Sequence, residues 1–393
     1  MKLYVKYMVL MISTIMSTNM MAQDARIAHP FLWNSYYNPA YCGSEGVFKF
    51  DFGAQTTYTH KPTTFVDSYL STEIGVEYYN VVWGFGLIAS NEYQGSGLLN
   101  ISKISPCVSV GLRMGDDNTR PSGHIRVGLQ SDISSNHTNK DRMIFSDQLD
   151  PYYGLINNQS AELQYIENGT VWGADLGVGL FGQIYIPADR FRNPAIINYG
   201  FSAFNLIGSN RKSFYTNQEA QYLPNLYNRR FCAQLEYAQP YISKKGMPMY
   251  FKGYAIYQYQ SSMHDIQFGL IYNIYRFMAG VGFKIQQYVG IRTDSSGKIQ
   301  QLNKRFPSDG IIHFVYTHPV NPTLLLRLAY SCEIPFTQKD IRKTTIHSLS
   351  LHLVWNYIKG SGIRTKSKCP PHIDPSDVSW YEANNTFPTK SRK

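Results

Sequence analysis

Long apolar runs are missing from this 393-residue chain once its N-terminus is passed. No later stretch reaches the ~18 apolar residues that a spanning helix needs. A mean hydropathy of −0.29 is too polar for a bundle of membrane helices. Charge is scarce too: Asp, Glu, Lys and Arg make up 16% of the residues, against roughly 25% in ordinary soluble domains. Cysteine is limited to five, Cys42, Cys107, Cys232, Cys332 and Cys369. None forms a Cys-x-x-Cys pair, so zinc ribbons and thioredoxin-type sites lack their ligands. The positions are scattered and odd in number, and the sequence alone assigns no disulfide.

What the chain has in plenty is aromatic or small: 31 Tyr, 21 Phe and 30 Gly. Such apolar content excludes a disordered chain. The combination is that of an outer-membrane β-barrel or a large secreted β protein. The N-terminus points to export. Lys2 and Lys6 precede an apolar stretch from Tyr7 to Ile12, and Met20-Met21-Ala22 follows. This is the layout of a secretory signal peptide over residues 1–22, cleaved after Ala22.

Beyond it, apolar residues alternate with small or polar ones at the period of a strand with two unlike faces. Phe48, Phe50, Phe52 and Ala54 alternate with Lys49, Asp51, Gly53 and Gln55. Ile125, Val127 and Leu129 alternate with Arg126, Gly128 and Gln130. Leu349, Leu351, Leu353 and Trp355 alternate with Ser348, Ser350 and His352. The pattern predicts strands over 47–55, 72–80, 82–90, 101–113, 124–132, 170–184, 196–207, 229–237, 249–260, 265–273, 276–286, 310–318, 324–333 and 345–357.

A soluble β-sandwich also alternates, but its outer face carries Lys and Glu for water. Here the non-apolar face is rich in Gly, Ser, Gln and Asn. The expected fold is therefore all-β: a closed antiparallel transmembrane outer-membrane β-barrel of about 14 strands, spanning 46–358. An even count puts both termini on the periplasmic side. The long connectors 57–71, 91–100, 134–169, 208–228, 287–309 and 334–343 then lie outside the cell. The short ones, near 81, 115–121, 274–276 and 319–321, lie in the periplasm.

Between the signal peptide and the first strand comes Phe31-Leu32-Trp33-Asn34-Ser35-Tyr36-Tyr37-Asn38-Pro39-Ala40-Tyr41-Cys42-Gly43. This resembles the opening of the PorP/SprF family of Bacteroidetes outer-membrane proteins, which holds an Asn-Pro-Ala-(aromatic)-Ala-Gly motif. Asn38, Pro39, Ala40, Tyr41 and Gly43 match it, and Cys42 replaces the usual Ala. Phe145 to Gln148, Ala174 to Leu180, Tyr199 to Ala203, and His347 with Leu349, Leu351 and Leu353 are similar to further family stretches. The Gly and Glu usual near that His are absent. The resemblance implies a non-enzymatic component of type IX secretion, or of the gliding and adhesin apparatus tied to it. Its implied partners are secreted cargo or adhesins and a periplasmic or peptidoglycan-associated protein. Segment 23–45 is too apolar to stay solvated and is expected to form a plug or a docking element. Trp33, Tyr37, Asn38, Pro39, Ala40, Tyr41 and Gly43 are its expected partner-binding residues.

Candidate chemistry is thin. Outer-membrane hydrolases place Ser and His two apart on one strand face, and Ser350 and His352 meet that spacing. No third orienting group is evident on their strand, so no catalytic residues are expected. The histidines are dispersed, which predicts no metal site, and no cofactor is implied. Charges inside a barrel need partners. Arg126, Asp175, Glu236, Arg276, Lys284, Arg327 and Glu333, with Glu73, are expected to pair in a lumen network. The rival function is a general diffusion porin or small-solute channel, since a barrel of this size can enclose a lumen.

Net charge is +10. With no nucleic-acid motif, that excess is expected to meet lipopolysaccharide, outer-membrane lipid or acidic proteins rather than nucleic acid. Residues 359–393 hold seven Lys and Arg against three acids, with Pro370-Pro371. They are expected to form a basic periplasmic tail.

Overall fold

The computed structural model describes residues 27, 29–44, 48–58, 65–78, 81–94, 99–114, 123–138, 148–150, 154–155, 169–186, 195–207, 229–242, 248–260, 263–274, 276–293, 299–305, 309–321, 324–336 and 345–355. The expected signal peptide and basic tail lie outside these residues.

Fourteen long strands make one antiparallel sheet. They are β1 (Phe48–Tyr58), β2 (Phe65–Tyr78), β3 (Val81–Gln94), β4 (Leu99–Met114), β5 (Gly123–Thr138), β6 (Gly169–Ile186) and β7 (Ala195–Phe204), followed by β8 (Arg230–Ile242), β9 (Pro248–Gln260), β10 (Met263–Ile274), β11 (Phe277–Thr293), β12 (Asp309–Asn321), β13 (Leu324–Pro335) and β14 (Thr345–Trp355). Each pairs with its neighbours in sequence. β1 also pairs with β14, from Phe48 opposite Trp355 to Tyr58 opposite Thr345, so the sheet closes. Closure leaves no unpaired edge, which is what lipid demands of a spanning sheet.

The two faces of the wall are inverted relative to a soluble protein. Outward lie Phe52, Phe85, Leu129, Phe201, Leu235, Phe268, Leu270, Phe283, Phe314, Leu328 and Leu349, all exposed. Inward lie Lys49, Asp51, Glu73, Arg126, Asp132, Gln234, Glu236, Lys252, Lys284, Arg327, Glu333 and His352, all buried. An apolar band this continuous belongs against hydrocarbon. Trp355 and Phe48 sit edge to face at the end where β1 begins and β14 finishes, with ring centroids 6.5 Å apart. Such aromatics form the girdle of a barrel.

Most strands run longer than alternation alone predicts. β2 starts at Phe65, inside the stretch expected as a connector. Ser68 and Thr72 fall on its outward face by alternation and blur the pattern. β11 is the second departure. β12 pairs with Phe277–Lys284. Gln287–Thr293 continues past the wall and pairs with Ile299–Arg305. A β-hairpin therefore occupies much of the expected connector 287–309. The strand ends at Tyr58, Gln94, Thr138, Phe204, Gln260, Thr293 and Pro335 lie at the end opposite Phe48 and Trp355.

Candidate functional site inside the barrel

Residues 29–44 fold through their own short-range bonds. A single helical turn, α1 (Asn34–Tyr37), closes with Asn38 N–H donating to Asn34 O at 3.0 Å. Asn38 is extended, and its Oδ1 accepts the Ala40 N–H at 3.0 Å. It thereby caps a 3-10 turn over Pro39–Tyr41. Pro39 occupies the first position of that turn, where no N–H is needed. Gly43 has φ +59, a left-handed conformation that a side chain would strain. Its N–H donates to Glu73 Oε2 at 3.0 Å.

This segment lies within the wall, because its partners stand on strands all the way round. Lys49 of β1 donates to Leu32 O at 3.0 Å. Glu73 of β2 also accepts the Ser35 hydroxyl. Ser109 of β4 donates to Cys42 O at 2.6 Å. Arg126 of β5 donates from Nε to Ala40 O at 3.1 Å and from Nη2 to Cys42 O at 3.0 Å. Asn38 Nδ2 donates to Leu180 O of β6 at 2.9 Å. Ser202 of β7 donates to Tyr37 O. Arg230 of β8 lies over the Tyr36 ring. Phe31 packs on Tyr254 of β9 and edge-on to His313 of β12. Trp33 meets His352 of β14 edge to face at 5.6 Å.

Inward glycines make the close approach possible. A Cβ at Gly84 would overlap Cys42 O, and one at Gly128 would overlap the Pro39 and Ala40 backbone. One at Gly179 would overlap the Asn38 amide, and one at Gly200 would come 2.6 Å from Asn38 Nδ2. These four lie on β3, β5, β6 and β7. They form a floor shaped for the Asn-Pro-Ala-Tyr turn. Tyr41 rests on Phe181 with ring centroids 4.0 Å apart.

The motif residues expected to bind a partner lie inside the wall. Asn38 and Ala40 are wholly buried, and Trp33, Tyr37 and Tyr41 nearly so. Pro39 and Gly43 are buried as well. Their polar atoms bond to the wall, as Asn38 Nδ2 does to Leu180 O, or within the segment, as the Tyr37 hydroxyl does in donating to Ile27 O at 2.9 Å.

Several of the expected lumen charges have partners among the described residues. Lys284 and Glu333 pair at 2.7 Å. Glu236 pairs with Lys252 at 3.1 Å and accepts from Asn198 at 3.1 Å. Asp175 forms caps rather than an ion pair: its Oδ1 accepts the N–H of Leu176 at 2.9 Å and of Ile207 at 3.1 Å. Arg126 and Glu73 are committed to the inner segment. Arg276 lies in the turn between β10 and β11, its carbonyl accepting the Thr317 N–H at 2.8 Å, at the barrel's end rather than its middle. Arg327 is buried opposite His352.

One constellation escaped the sequence reading. Ser350 Oγ lies 2.8 Å from His352 Nε2, and His352 Nδ1 lies 2.7 Å from Asp51 Oδ1. The orienting carboxylate comes from β1, across the seam, rather than from β14 itself. The connectivity is that of a nucleophile, a base and an orienter. Yet the Trp33 ring covers the His352 imidazole. Both neighbours of β14 hold its backbone in ladders, so no main-chain pair is left to form an oxyanion site. Lys49 lies 3.4 Å from Asp51, and Ser71 donates to it at 3.1 Å. The group is a satisfied polar anchor beneath Trp33. Among the described residues, no cluster of His, Cys, Asp and Glu has metal-binding geometry. Burial, helped by the nearby His313, holds the His29 imidazole well below its usual pKa. Neutral His29 then meets the Ser348 hydroxyl at 3.3 Å.

The chain is similar in architecture to several solved barrels. A FadL homologue from Pseudomonas aeruginosa is 8% identical, with 82% of this chain and 93% of that one covered and a TM-score of 0.40. The CymD monoaromatic hydrocarbon channel is 10% identical, with 86% and 94% covered and a TM-score of 0.44. The translocator domain of the autotransporter NalP from Neisseria meningitidis is 10% identical, with 84% and 96% covered and a TM-score of 0.37. No curated protein matches the sequence. The family description "Type IX secretion system membrane protein PorP/SprF" matches residues 20–353, which takes in the inner segment and almost all of the wall. The chain therefore belongs to the PorP/SprF family of type IX secretion membrane proteins.

Proposed function

We propose that this chain serves type IX secretion as a plugged outer-membrane barrel. Residues 27–44 close the lumen, and the barrel acts by binding protein partners: cargo sorting domains, surface adhesins or periplasmic linkers. The observation that carries the reading is the attachment of the stretch from Asn38 to Gly43 to Glu73, Arg126 and Leu180 on three different strands. A diffusion porin needs a water-filled lumen. Here the interior holds Trp33 and Tyr37, each at most 2% exposed. The family motif is thus assigned to holding the plug. Recognition is left to the connectors, the barrel ends and the basic segment 359–393.

Two measurements test this. In planar bilayers the pure protein should give no large, stable channels. A deletion strain should lose cargo from the cell surface while its solute uptake is unchanged. Large channels from the intact protein would overturn the plug reading and favour the porin.

A further inference from the structure

We propose that Cys42 of the inner segment and Cys107 of β4 form a disulfide that ties the segment to the wall. Their sulfurs lie 2.8 Å apart, with Cys42 Sγ also 3.7 Å from Cys107 O. Both residues are buried. Gly86, opposite Cys107 on β3, provides the space. A Cβ there would stand 2.6 Å from Cys42 Sγ and 2.9 Å from Cys107 Sγ. Residue 42 is also positioned independently of its sulfur, through the bonds of its carbonyl to Arg126 and Ser109. A cross-link here would join two groups already fixed side by side. The other two described cysteines, Cys232 and Cys332, lie on β8 and β13. This inference stands whether or not the segment closes the pore.

The reaction needs an oxidant, which is a protein disulfide of the exported compartment. The Cys42 thiolate attacks one sulfur of that disulfide, and the other sulfur leaves as a thiolate. The Cys107 thiolate then attacks Cys42 Sγ in the mixed disulfide and displaces the second partner sulfur. Cys42 and Cys107 together lose two electrons, and the partner disulfide gains them. The two protons released from the cysteines end on the two partner sulfurs. The hydrogen bond with Cys107, together with burial, holds the docked Cys42 thiol far above its ordinary pKa. Exchange therefore belongs to the stage before the segment is enclosed, while the thiolate is still accessible.

The test is differential alkylation of the full chain extracted from outer membranes. The protein is acid-quenched, denatured without reductant and treated with N-ethylmaleimide. It is then reduced and treated with iodoacetamide. The expected result is that Cys42 and Cys107 carry only the second label, and that an unreduced digest contains one peptide joining them. In Cys107→Ser, Cys42 should move to the first label. The proposal is overturned if both cysteines of the parent protein take N-ethylmaleimide, or if either is joined to a different cysteine. Retention of the second label by Cys42 in Cys107→Ser would overturn it as well.

Discussion

Replacing Arg126 by Met tests how the inner segment is held. Met keeps the apolar stem and removes the guanidinium. Two bonds to the segment are lost, to Ala40 O at 3.1 Å and Cys42 O at 3.0 Å. Hydrogen bonds from a charged donor contribute about 1.5–3 kcal/mol each. Cys42 O retains the Ser109 hydroxyl, whereas the substitution takes a guanidinium donor from Ala40 O. Removing a buried cation also relieves its desolvation, so the net loss is about 2–4 kcal/mol. At ~1.4 kcal/mol per tenfold, the undocked population rises roughly 30- to 700-fold. Hydrogen exchange under reducing conditions reads this directly. The amides of Ala40, Tyr41, Cys42, Gly43 and Ser44 all donate within or beside the segment, and their exchange should accelerate by that factor. Amides of the strand ladders serve as the reference. Exchange at residues 40–44 within about threefold of the parent would refute the reasoning, since that allows less than ~0.7 kcal/mol.

Three further outcomes are expected. Gly128→Val puts a branched side chain where even a Cβ overlaps the Pro39 and Ala40 backbone; ion conductance should appear in planar bilayers, and a silent variant counts against the plug. Leu129→Lys places a charge on the outward face of β5, where Leu129 is 48% exposed; it should destabilise the barrel in lipid by about 2–4 kcal/mol, measured by urea titration in vesicles, and a neutral effect denies that this face meets hydrocarbon. Truncation after Gly362 should leave heat-modifiable migration intact while weakening co-purification with acidic or cell-wall-associated periplasmic proteins. Full retention of those proteins would remove the basic segment from the docking role.

The wall was legible because every strand obeys the same rule. Ser348, Ser350 and His352 face inward and Leu349, Leu351 and Leu353 face outward, as alternation requires. The ends of strands were less legible where outward positions carry Ser68 and Thr72. What alternation cannot give is height. Asp51 and His352 each read as inward, but only the closing register of β1 on β14 sets them opposite each other. The same limit hid the seat of the motif, since Asn38 meets Leu180 across 142 positions of sequence. A signal was nonetheless present. Gly84, Gly128, Gly179 and Gly200 interrupt strand interiors, where glycine weakens a strand unless another backbone must come close.

The stretch from His29 to Ser44 ends up surrounded by strands made long after it, including the last. Trp33, Tyr36 and Tyr37 are bulky, and a finished wall has no seam through which they could pass sideways. The order of events is then constrained. Winding of the sheet around residues 29–44, as around a mandrel, would avoid that passage. β14 finds β1 along one edge while Trp33 and His29 meet its inner face. Chains lacking residues 27–44 should then reach the heat-modifiable form more slowly than the parent, and equal rates would show that winding needs no mandrel. On this account, residues 29–44 gauge the circumference that the strands must close.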